Sequence, residues 1–299
     1  MKRFWLGATA LVVVAACGRG NPFLESGDTT DESIIPELVA GDVQSFTYDP
    51  VAQTLTVSGL DQDDTPFQAV YTRKPNLDLP GYEAYTVQES SLSRHTTAFV
   101  QEIDGVRAMI AVSGPQFSYY FGGSNYGRTG VYTPPDVTQA GGIVTYAGTY
   151  AGLLNGPGNG NDLLPVAPGT PIDVRPSQAA DVTGDVIINA DFADNSLNGT
   201  IFNRLDVDDN IQLENIDLSP TGIDANGTFT GDVTQSTPNR ADRGDYGGVF
   251  GGTGATAVAG TLFVSDHIAQ FTGEEEYGVF VLAQCGTPNA DPLCNQPNQ

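Results

Sequence analysis

The stretch GDYGGVFGGTGATAVAGTLFVSDHIAQFTGEEEYGVFVLAQC, residues Gly244 to Cys285, decides how the chain is read. Tyr246 to Phe250 approaches a glycine-rich turn and Thr261 to Val264 leaves it. Tyr277 to Ala283 closes the last ordered element, after the polar residues Thr272 to Glu276. Short runs of β-branched and aromatic residues bounded by Gly and Asp are hairpin strands. Gly252-Thr253-Gly254-Ala255-Thr256-Ala257 matches a dinucleotide fingerprint of the form G-x-G-x-x-A. A strand follows it, not an amphipathic helix, and no βαβ unit surrounds it, so it reads as a turn.

The same texture extends upstream. From Ile143 to Ala283 the chain carries about eight strand signals, with turns at Asp194 to Ser196, at Asn198-Gly199 and at Asn226-Gly227. Eight antiparallel strands at this spacing can close into a barrel and remove their edges. Asp42 to Gly114 holds about six more strand signals, the last two joined by Asp104-Gly105, and no segment there has a helical period. Of 299 residues, 36 are Gly and 19 Pro, and 16% are charged, a mixture that suits a turn-rich β chain. The expected fold is all-β: a C-terminal eight-stranded antiparallel β-barrel preceded by a smaller antiparallel β-sheet domain.

Gly248, Phe250, Gly252, Ala255 and Gly260 fill the pattern G-x-F-x-G-x-x-A-x-x-x-x-G. This resembles the barrel motif of transferrin-binding protein B-like bacterial surface lipoproteins. Gly184 to Phe192 and Gly199 to Phe202 resemble the strand pair of the same barrel. The resemblance covers 143–283 and implies a lobe in which a handle domain precedes the barrel. It also implies a non-enzymatic binder of a protein or small solute, with iron or nutrient acquisition as the family role. This chain is about one lobe long where that family has two, and the family's ligand contacts lie in variable loops.

The N-terminus resembles a bacterial lipoprotein signal peptide. Lys2-Arg3 is a basic start, and Phe4 to Ala16 is apolar but short of the roughly 20 residues that span a bilayer. The run ends Val14-Ala15-Ala16-Cys17. That pattern implies lipidation of Cys17, a membrane anchor through the attached chains, and the outer membrane of a Gram-negative envelope as the location. The domains expected are a signal peptide (1–16), an acidic tether (17–41), a handle-like sheet (42–135), a linker (136–142), the barrel (143–285) and a tail (286–299).

Two cysteines remain, Cys285 and Cys294. In an oxidising compartment they are expected to pair as a disulfide, the alternative being two free thiols in a Pro- and Asn-rich tail. A zinc site is not supported, because no His lies near them. The formal net charge of −24 repels phosphate backbones, which argues against a nucleic-acid partner.

Phe117 to Pro135 interleaves aromatics with glycine, and Tyr119, Tyr120, Phe121, Tyr126 and Tyr132 are the candidate ligand-binding residues. Rings between glycines form either an adaptable recognition surface or a strand pair with core-facing side chains. The long loop Asn155 to Pro171 is the second candidate contact surface. Ser265-Asp266-His267 sets three triad residue types side by side, but on a strand they diverge, and His95 is the only other His. Asp206, Asp208 and Asn210 imitate half a calcium loop, with Ile211 at the position that needs Gly. The expectation is a binder without catalytic residues, metal or cofactor. A structural envelope lipoprotein without a ligand is the alternative.

Overall fold

The computed structural model describes residues 35–59, 68–137, 142–236 and 241–295. Cys17 and the signal peptide lie outside them. The chain forms two antiparallel β-units. The first is a seven-stranded meander: β1 (Val43–Asp49), β2 (Thr54–Gly59), β3 (Gln68–Arg73), β4 (Glu83–Val87), β5 (Thr96–Ile103), β6 (Val106–Ser113) and β7 (Gly122–Arg128). The sheet curls until its ends nearly meet, at a bridge between Gly41 and Gly123. Phe46, Leu55, Tyr71, Tyr85 and Met109 fill the inside of the curl.

The second unit is a closed barrel of eight strands. They are β8 (Ile143–Pro157), β9 (Ala179–Asp191), β10 (Ser196–Asp206), β12 (Ile216–Gly222), β13 (Thr228–Gln235), β14 (Asp242–Gly251), β15 (Ala257–Ser265) and β16 (Glu275–Gln284). Each pairs with the next in sequence, and β16 returns to β8. A two-residue strand, β11 (Ile211–Gln212), pairs antiparallel with the end of β10. The expected β-barrel after a smaller sheet is therefore what the chain forms.

The glycine-rich motif has a packing reason. Register places Phe229 opposite Gly248, Gly248 opposite Gly260, and Gly260 opposite Phe280. Both rings belong to the barrel core and lie over the two glycines, so a Cβ at either position would strike a ring and a neighbouring carbonyl. Phe250 sits at the centre, in contact with Tyr146, Phe192 and Phe229. Gly252 turns the β14–β15 hairpin at φ +73, and buried Ala255 accepts a 2.5 Å hydrogen bond from the Tyr146 hydroxyl. Side chains fill the interior, as in other small barrels.

The sheet packs on the outer wall of the barrel. Phe99, Ala108, Ile110 and Tyr126 meet Val249, Ala259, Tyr277 and Val281 in one apolar layer. Buried Ser124 donates to Val39 O at 2.6 Å and lies 2.8 Å from the Thr261 hydroxyl. Arg128 donates to Phe250 O at 3.1 Å.

The six strands expected between Asp42 and Gly114 are β1 to β6, and β7 adds a seventh through the aromatic stretch. Two expectations need correction. Asn198-Gly199 is not a turn: it lies within β10 at a register shift, while Asn226-Gly227 is a turn, with Gly227 at φ +72. Residues 35–41 belong to the fold and not to a tether. The one-turn helix α1 (Glu37–Ala40) buries Val39 between the two units. Most of the expected linker lies outside the described residues.

Cys285 and Cys294 are joined in a disulfide. The bridge ties the tail back to the barrel, where Cys285 N–H donates to Thr145 O at 2.9 Å.

Candidate functional site

Three polar or exposed arrangements stand out, all toward the end of the barrel where β8 finishes and β16 begins.

The first is the tip of the sheet. Gln116 and Tyr119 pair across a two-residue turn whose central residues, Phe117 (φ 57) and Ser118 (φ 59), are both left-handed. Such turns normally use Asn or Gly, because a Cβ clashes with the carbonyl there, and a bulky residue at positive φ is an outlier. The turn exposes Phe117 (65%) and Tyr119 (56%). Its base is firmly held. Gln116 Nε2 donates to Leu92 O at 3.1 Å and Val174 O at 3.0 Å, tying in two segments that expose Leu92 (51%) and Ile172 (83%). Arg94 donates to Tyr119 O at 2.6 Å and stacks over the Phe121 ring.

The candidate aromatics divide accordingly. Tyr119 is on the exposed tip. Phe121 is buried beneath it, with the two ring centroids 5.0 Å apart. Tyr120 is half-buried and bonds Glu275 of the barrel. Tyr126 is buried between the two units, and Tyr132 packs on the barrel core over Gly227. Phe121, Tyr120, Tyr126 and Tyr132 thus position the tip and join the units.

The second arrangement is the strap between β8 and β9. Asp162 accepts from Lys74 Nζ (2.7 Å), the Thr86 hydroxyl (2.7 Å) and His95 Nε2 (3.0 Å). Burial alone would raise its pKa, but these three donors hold it below the usual carboxylate range. Burial lowers that of His95, so at neutral pH the ring is neutral with its proton on Nε2. The loop expected as a free contact surface is therefore latched to the sheet at Asp162.

The third lies inside the barrel. Arg204 and Glu276, both fully buried, pair at 2.6 Å. Glu276 also faces His267 Nε2 at 3.0 Å and accepts from the Tyr150 hydroxyl. Nearby, Asp181 is buried beside Asp206 and Asp208. The acidic turn that imitates half a calcium loop directs its carboxylates at backbone N–H groups. Asp206 Oδ1 accepts the N–H groups of Asp208 and Asp209, and Asp208 accepts those of Asp181 and Asn159. Among the described residues no group of three or more His, Cys, Asp or Glu is placed to hold a metal. The sequence offered no sign of the Arg204–Glu276 pair, since its members lie far apart in the chain. The only cue was His267, a rare residue close to a strand end.

No family model and no curated protein matches this sequence. Among solved structures it is similar to those of transferrin-binding protein B. The intact two-lobed Ap-TbpB is 12% identical, with a TM-score of 0.38 over 82% of this chain and 55% of that one. A double-mutant vaccine antigen from Haemophilus parasuis Hp5 gives 13%, 0.40, 81% and 54%. The isotype 1 protein of serogroup B Neisseria meningitidis gives 12%, 0.37, 82% and 52%. What is shared is the fold. The chain spans about half the length of those structures.

Proposed function

We propose that this chain is a lipid-anchored surface binding module that captures a protein ligand through the tip of its handle-like sheet. The observation that carries this reading is the Phe117-Ser118 turn. Two non-glycine residues are held left-handed there, at a cost of roughly 1–3 kcal/mol each, and the result is an exposed aromatic ring. Backbone strain and solvent-facing apolar groups both oppose stability, and both suit recognition. An aromatic pair over an arginine is the composition of an interface hot spot, and Leu92 and Ile172 extend the apolar area around it. Cys17 supplies the anchor, and the acidic residues after it hold the module away from an anionic lipid surface.

The test is capture of protein ligands by the intact chain and by a Phe117→Asn, Tyr119→Ser variant, with thermal unfolding as a check on the fold. A saturable partner lost by the variant supports the tip, and equal capture by both proteins overturns it. Cys17→Ser should move the protein out of the membrane fraction. Retention there would refute the anchor.

A further inference from the structure

A cavity of about 270 Å³ opens at the polar end of the barrel, between the last residues of β8, the start of β9, the end of β10 and the turn before β16. Its lining includes the apolar residues Leu154, Pro157, Ala180 and Phe271. It also includes the carboxylates Asp206, Asp209 and Glu274. Glu274 is only 6% exposed. Its Oε1 accepts the Ile268 N–H at 2.6 Å, while its Oε2 is enclosed without a partner. A buried carboxylate oxygen with no donor is costly, and each such atom in a folded protein calls for an explanation.

Arg204 bonds Glu276 and Glu214 O, and His267 Nδ1 lies 3.7 Å from Glu274 Oε1, so no cation among these residues reaches Glu274 Oε2. We propose that the cavity binds a small organic cation, an alkyl-ammonium or guanidinium compound. Its charged head satisfies Glu274 and Asp209, and its body lies against Leu154, Pro157 and the face of Phe271. The volume far exceeds that of a bare ion, and the carboxylates are not grouped as metal ligands, so the cation is organic.

Calorimetric titration of the full chain with agmatine, putrescine, a blocked lysine amide, calcium chloride and an uncharged alcohol tests this. Saturable binding of an amine or guanidine is expected, with none of the alcohol. The preference between the free diamine and the blocked lysine distinguishes a free ligand from a peptide side chain. Glu274→Gln should weaken binding about tenfold or more. Because Glu274 also holds Ile268 N–H, Asp209→Asn on the exposed rim is the second variant, with a loss in the same direction. The proposal falls if no cation binds saturably up to millimolar concentration, if both variants keep the parent affinity, or if calcium binds more tightly than the amines. Phe117→Asn should leave cation binding unchanged, so failure here and failure of the tip are separate results.

Discussion

Glu276 Oε2 accepts a hydrogen bond from Arg204 Nη2 at 2.6 Å, with both side chains wholly enclosed by the barrel. The pair is bound in turn by His267 and Tyr150, so neither charge meets water. Removing one member leaves the other charge buried and uncompensated, which typically costs about 3–5 kcal/mol, whereas replacing both with apolar groups is often close to neutral. Arg204→Met and Glu276→Leu alone should therefore each lower unfolding stability by that amount. The Arg204→Met, Glu276→Leu double variant should recover most of it. Urea unfolding of the four proteins in a double-mutant cycle measures the coupling.

Two buried carboxylates give opposite pH responses. Burial works against ionised Glu276, but Arg204 and His267 hold its pKa down to about 2. Its contribution is present above the unfolded value of about 4.5 and is lost as pH falls toward 2. Asp181 is raised to about 8 by burial and by Asp208 and Asp206. Between its unfolded value near 3.8 and about 8, the folded state holds a proton that the unfolded state has released, so stability falls as pH rises. Asp181→Asn should therefore be more stable than the parent at pH 9. The difference should shrink by up to about 1.4 kcal/mol per pH unit toward acid. Urea midpoints at pH 5, 7 and 9 check the sign, and a variant equally displaced at all three would contradict it.

What could be read in advance followed local rules. Val106 to Ser113 is a near-continuous apolar run that follows Asp104-Gly105 and forms β6 with those limits. Asn226-Gly227 turns as its dipeptide demands, but Asn198-Gly199 sits inside β10, where Gly199 lies against Leu218 and the Ile187 carbonyl. A turn-forming pair and a glycine needed for close approach look alike in sequence. The candidate aromatics carried the same ambiguity. Tyr126 and Tyr119 are both tyrosines among small residues, yet one is sealed between the units and the other is displayed. Only the packing of β7 on the barrel decides which. Arg204 and Glu276 carry no local signal, because their pairing follows from barrel closure.

Asp162 concentrates the attachment of the β8–β9 strap in one carboxylate. Lys74, Thr86 and His95 all come from the sheet, and all three donate to it. Hydrogen bonds to a charged group contribute about 1.5–3 kcal/mol each, partly screened here because Lys74 is half-buried rather than enclosed. Asp162→Ala should release the strap without unfolding either β-unit. Limited proteolysis should then cut within 158–178 faster than in the parent, while the main thermal transition moves by only a few degrees. Equal cleavage rates would show that the bonds at Gln88, Gln116, Ser177 and Asp208 hold the strap without Asp162.

The Phe117-Ser118 turn gives a prediction in which stability and binding move in opposite directions. Both residues sit at φ near +58, a conformation that Asn and Gly adopt at little cost. Phe117→Asn with Ser118→Gly should therefore raise thermal stability, by about 1 kcal/mol in total once the flexibility that Gly adds to the unfolded chain is counted. The exposed ring contributes little packing to oppose this gain. If the tip is a recognition surface, the stabilised variant should lose its ligand, because strain is then tolerated only for what the ring contacts. Differential scanning calorimetry beside ligand capture reads both effects. A variant that is destabilised would show that Phe117 serves the fold, and one that is stabilised yet still binds would place recognition elsewhere on the surface.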